Sequence, residues 1–183
     1  MSIMNEFTLS EVENVFKAPQ HVLIHLCERK VVIPDIQQTE GRGKFRKFST
    51  RNMVEFAVAL ELKKYQIPLL VIKALLIVLS ATYKKVASEV VQQSIVTMLQ
   101  QIHSYLYIYD GTYVVLDFVD QKKSVEYNQA NLKIILGIDL NSVLEKNNHP
   151  TKLQRLQDLP DGFTSHLRID LSNLANRTLS QLQ

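Results

Sequence analysis

The chain has 183 residues, an apolar fraction of 46% and a formal net charge of +3. That balance suits one large or two small folded domains and excludes a disordered polyelectrolyte or a chain that is polybasic throughout. A single cysteine, Cys27, excludes an internal disulfide framework and a cysteine-rich metal centre.

The stretch 1–7 carries Glu6 and no apolar core, so it is not read as a secretory signal. The most apolar run, 67–79, is interrupted by Lys73 and is too short to span a bilayer. These features predict a cytoplasmic protein with no membrane contact. Thr8-Leu9-Ser10-Glu11 has the form of a capping box, and Leu9, Val12, Val15 and Phe16 follow at helical spacing. A first helix is predicted over 9–16. Lys17-Ala18-Pro19-Gln20 breaks it, and Pro19 suits the first turn of a second helix over 19–29. That helix buries some of Leu23, Ile24, Leu26 and Cys27. Its other side carries His21, His25 and Arg29 on one face. Two short helices joined by a tight turn predict a helix-turn-helix.

Val31-Val32-Ile33 is a β-branched run closed by Pro34, and 35–40 is polar. The stretch 41–51 then holds five cations, Arg42, Lys44, Arg46, Lys47 and Arg51, and no acid. Residues 31–33 and 44–48 are read as the two limbs of a hairpin, with Gly41 and Gly43 suiting its turn. Phe45 and Phe48 are expected to pack on a neighbouring helix while the cations stay in solvent. Ser49 or Thr50 caps a third helix with Met53, Phe56, Ala57 and Leu60 on its apolar face. Pro68 opens a fourth, with Leu69, Ile72, Leu75, Leu76 and Leu79 buried.

With Phe7-Thr8-Leu9, Glu28-Arg29-Lys30, Val32-Ile33-Pro34 and Phe45-Arg46-Lys47-Phe48-Ser49 in that order, residues 7–79 resemble the winged helix-turn-helix domain of the MerR family of transcription regulators. The chain departs from that pattern at four places. His25 stands where the family usually has arginine, Cys27 replaces an aromatic, Val31 replaces a glycine, and Lys44 is inserted before Phe45. The resemblance implies a second helix in the major groove of double-stranded DNA and a basic wing on the flanking backbone. Arg42, Lys44, Arg46, Lys47 and Arg51 are then the phosphate contacts. His21, His25 and Arg29, with Gln20 beside them, are the candidates for base edges. The resemblance also implies a homodimer joined by a long helix, and promoter distortion that lets RNA polymerase act.

Val86, Val90, Val91, Ile95, Met98, Leu99, Ile102 and Leu106 recur at spacings of mostly three and four, predicting a helix over 80–106. It reads as a dimer coiled coil or as a core helix. From Tyr105 to Asp120 the pattern becomes strand-like, and Asp110-Gly111-Thr112 marks a hairpin turn. Further strands are predicted over 132–140 and 167–170, with mostly loop over 145–162 and a short final helix. Ile138-Asp139-Leu140-Asn141 echoes Ile169-Asp170-Leu171-Ser172, read as strand followed by an Asn or Ser helix cap, twice. The expected fold class is α+β. Its expected domains are a DNA-binding domain over 1–79, a linking helix over 80–106, and an effector or interaction domain over 107–183.

His21 and His25 have the spacing of helical metal ligands, but no third ligand is evident in the sequence, and no metal or cofactor is expected. No phosphate loop, nucleophile elbow or zinc motif is present, so enzyme activity is not expected. Tyr105, Tyr107, Tyr109, Tyr113 and Tyr127 suit a small organic effector, a sheet core or a protein contact. The readings that compete with a MerR-type regulator are an effector-free nucleoid or plasmid-maintenance protein and a protein-interaction adaptor built on a winged helix.

Overall fold

The computed structural model describes residues 6–36, 45–90, 102–109, 113–120, 136–139, 154–155 and 166–182. They form a mixed helix-and-sheet architecture with two antiparallel sheets. The chain divides into two compact units, one of residues 1–80 with 174–183 and the other of 81–173. Among the described residues no helix is long and apolar enough to cross a membrane.

In the first unit, β1 (Glu6–Thr8) leads into α1 (Leu9–Phe16). The Glu11 N–H donates to Thr8 Oγ1 at 3.4 Å, and the Thr8 N–H donates to Glu11 Oε2 at 2.6 Å, the capping box expected there. These bonds hold the Glu11 carboxyl below its ordinary range. Lys17, at φ 51, turns the chain out of α1, and Pro19 is the residue before α2 (Gln20–Glu28). α2 ends in a left-handed cap at Lys30, φ 54. The Lys30 N–H reaches Cys27 O, and the Val31 N–H reaches Leu26 O, both at 2.9 Å.

That cap corrects the expected hairpin. Residues 31–33 form no strand, because the N–H groups of Val31 and Val32 both go to Leu26 O and their side chains go into the core. β2 (Lys47–Ser49) pairs instead with β1, Phe7 opposite Phe48. The two expected limbs are nevertheless joined, by side chains. Asp35 accepts the Ser49 N–H at 3.2 Å and the Ser49 hydroxyl at 2.6 Å. Asn52 donates to Ile33 O at 3.0 Å and accepts from the Asp35 N–H at 3.1 Å.

Ser49 caps α3 (Thr50–Lys64), with Asn52 completing its capping box. α3 ends in a second left-handed cap at Gln66, φ 59. The Pro68 carbonyl then accepts the Ile72 N–H at 3.0 Å as α4 (Leu69–Val90) begins. Leu23, Leu26, Phe48, Met53, Phe56, Leu62, Ile72 and Leu75 are fully buried and form the core of this unit. Phe48 stands edge-on to Phe56 at 5.2 Å, and Phe16 lies 6.3 Å from the same ring. Phe45, expected to pack beside Phe48, is instead exposed.

α4 runs through 79–80 unbroken, so the fourth helix and the start of the predicted long helix are one element. Residues 91–101 of that predicted helix lie outside the described residues, but its end is corrected. Residues 102–106 belong to β3 (Ile102–Tyr109). Ile102 and Leu106 satisfy a spacing of four and an alternation of two equally well. Paired neighbours on both sides and the Tyr and Ile content decide for strand.

The second unit's sheet contains β3, β4 (Tyr113–Asp120), β5 (Leu136–Asp139), β6 (Gln154–Arg155) and β7 (His166–Asp170), in the order β6-β5-β4-β3-β7. β3 and β4 form the expected hairpin, Tyr109 opposite Tyr113. β6 falls in a stretch read as mostly loop. The final helix, α5 (Leu171–Ser180), is capped by Asp170, whose carboxylate accepts the Asn173 N–H at 2.8 Å. The expected cap, Ser172, is buried, and its hydroxyl accepts the Ser104 N–H at 2.8 Å. The helix expected after Leu140 lies outside the described residues.

Candidate nucleic-acid interface

The cap at Thr8 and the break at Lys17 set the ends of α1, and burial of Leu23, Leu26 and Cys27 sets which face of α2 turns inward. On the remaining surface Gln20, His21 and Arg29 are exposed, and His25 is half-buried. Gln20 Nε2 donates to Glu13 Oε2 at 2.7 Å, joining the outer sides of α1 and α2. Among the described residues no group of three or more His, Cys, Asp or Glu side chains is placed to hold a metal ion.

Of the basic stretch, Arg42 and Lys44 lie outside the described residues. Arg46 is half-buried. Burial pushes the Cys27 thiol up to about 11, while the charge of Arg46 acts against that rise and that of Glu28 adds to it. A thiol so placed stays protonated near neutrality and is a poor nucleophile. Lys47 Nζ sits 2.6 Å from Glu6 Oε2, with both side chains over two fifths exposed (42% and 46%). Such a surface pair is worth about 0–1 kcal/mol, so a phosphate can displace the carboxylate.

Arg51 is held differently. Its Nε donates to Glu55 Oε1 and its Nη2 to Ser80 Oγ, each at 2.9 Å. Glu55 also accepts from Asn52 Nδ2 at 2.9 Å. Burial raises the Glu55 carboxyl above its ordinary value, with Arg51 and Asn52 opposing the rise. Arg51 therefore belongs to a network joining α3 to α4, and its guanidinium has fewer donors left for a phosphate. The structure ties Arg51 to Glu55 and Ser80.

Asp35 and Asn52, which tie residues 33–35 to 49–52, were not among the expected site residues. Their signal was Asn52 at the third position after a serine cap, where glutamate or glutamine is usual. In the second unit, the tyrosine row has partners that sequence reading did not single out. His103, Tyr105, Tyr107 and Tyr109 share one face of β3, with neighbouring ring centroids 6.0–6.4 Å apart. The Arg168 guanidinium lies 4.1 Å over the Tyr105 ring, and His166 lies 5.6 Å from Tyr109. The alternation in His166-Leu167-Arg168 was the available clue. Tyr127 lies outside the described residues.

No family model matches the sequence, and none of the curated proteins compared with it matches either.

Proposed function

We propose that this chain is a sequence-specific DNA-binding transcription regulator of MerR type, acting in the cytoplasm as a homodimer. In this reading α1 and α2 are a helix-turn-helix, α2 enters the major groove, and the segment ending in β2 is a basic wing on the backbone. One observation carries it: Gln20, His21 and His25 lie on α2 and Arg29 caps its C-terminal end, with the apolar side of the helix turned inward. Base edges fall to the α2 residues. Phosphates fall to Arg46 and Lys47 with Arg42 and Lys44, and Arg51 contributes least. The second unit takes a small organic effector or a protein partner on its aromatic face, with RNA polymerase the partner at a promoter.

Selection of bound fragments from random genomic DNA tests this reading. A shared sequence with two-fold character is expected, and no enrichment over input would contradict it. A nucleoid or plasmid-maintenance role would instead retain DNA with little sequence in common. The competing reading of different class is a protein-interaction adaptor. The observation favouring it is that Lys47 and Arg51 are already in ion pairs.

A further inference from the structure

Phe45 departs from what its sequence neighbourhood predicts. Of the large apolar side chains described it is 78% exposed, whereas Phe48, three positions on, is fully buried. Leaving a phenyl ring in water forfeits the free energy that its burial would contribute. The ring also sits at a particular place. Asp35 and Asn52 fasten residues 49–52, shortly after Phe45, to residues 33–35, through Ser49 and Ile33. Ile33 is 49% exposed. Phe45 and Ile33 are thus two solvent-facing apolar side chains, and every charge in the sequence from Gly41 to Arg51 is positive.

We infer that Phe45 is a direct apolar contact to DNA, an inference that rests on the DNA-binding reading above. The cations around it draw the segment onto the phosphates. The ring then leaves water against the sugar and base edges of the adjacent minor groove, as apolar wedges do in groove-binding proteins. Phosphate contacts respond to salt and not to sequence. A phenyl ring against base edges responds to the width and stacking of the step it meets, and so adds shape selectivity to a grip that otherwise has none. A partner of this charge is favoured over a second copy of the chain because the neighbours Lys44, Arg46 and Lys47 would repel their own duplicates.

The chain has no tryptophan, so Phe45→Trp places a single indole at the position in question. The probe is a mixed-sequence duplex of about three helical turns at about 50 mM salt. Binding should shield the indole of the full-length variant from acrylamide several-fold. Phe45→Ala should bind the same duplex on the order of tenfold more weakly, while unfolding like the parent. A complex in which the indole stays as quenchable as in free protein would overturn the inference and leave the DNA reading standing. Shielding that grows with protein concentration in the absence of DNA would assign the ring to a contact between copies, and would also overturn it. If the parent chain retains no duplex even at that salt, the DNA reading fails and this inference with it.

Discussion

Asn52 is buried and works at both ends of its amide. It donates to Ile33 O and Glu55 and accepts from the Asp35 and Ser49 N–H groups. Asn52→Ala strands several of these groups at once, so a loss on the order of 3 kcal/mol is expected in urea denaturation. A loss below about 1 kcal/mol would show that the segment is held by something else. Glu55, beside it, carries a pH signature. Burial raises its folded pKa above the unfolded one, so the native state holds that proton longer. The stability it contributes is complete below the unfolded value, ordinarily 4.5, and is lost as pH rises through the higher folded value. Relative to Glu55→Gln, the parent melting temperature should therefore fall as pH rises from that point towards neutrality. A parent that gains on the variant over that range would mean that Arg51 outweighs burial. Neither role was legible beforehand. A lone Asn in a helix and an acid four residues after an arginine look like ordinary surface pairs until the fold encloses them.

At the scale of elements, α1 was legible to the residue, because Thr8 and Glu11 mark its start and Lys17-Ala18-Pro19 its end. The ends of α2 and α3 were harder, since both close through left-handed residues that are not glycine, Lys30 and Gln66. The β1–β2 pairing was hidden because strands of three residues far apart in the chain have no periodicity to read. The pairing of β3 and β4 was plain, since Asp110-Gly111 stands in the sequence between alternating runs. α3 and α4 are joined by Arg51, and this separates two roles for basic residues. Arg51→Ala should lower stability by about 1–3 kcal/mol while changing DNA affinity little. Arg46→Ala should do the reverse. Denaturation and duplex binding measured on both variants check the pair, and equal loss of DNA affinity in both would contradict the assignment.

At the scale of the whole molecule, one compact unit carries the basic stretch and the other an aromatic sheet face, and the proposal gives DNA to the first and an effector or partner to the second. The mixed helix-and-sheet character was legible from the switch between periods of three to four and two. The role of the second unit was not, because His166 and Arg168 join the tyrosines only through strand pairing across some sixty residues. The proposed homodimer should sediment as such at micromolar concentration, and a folded monomer there would contradict it. The central claim, that the basic segment grips double-stranded DNA, is tested most directly by duplex affinity as a function of salt, for the parent and for Arg46→Ala with Lys47→Ala. The parent should show a linear fall of log affinity with log salt, and the double variant a slope smaller by about one for each phosphate contact removed, on specific and random duplex alike. Affinity indifferent to salt, or a slope the double substitution leaves unchanged, would contradict it.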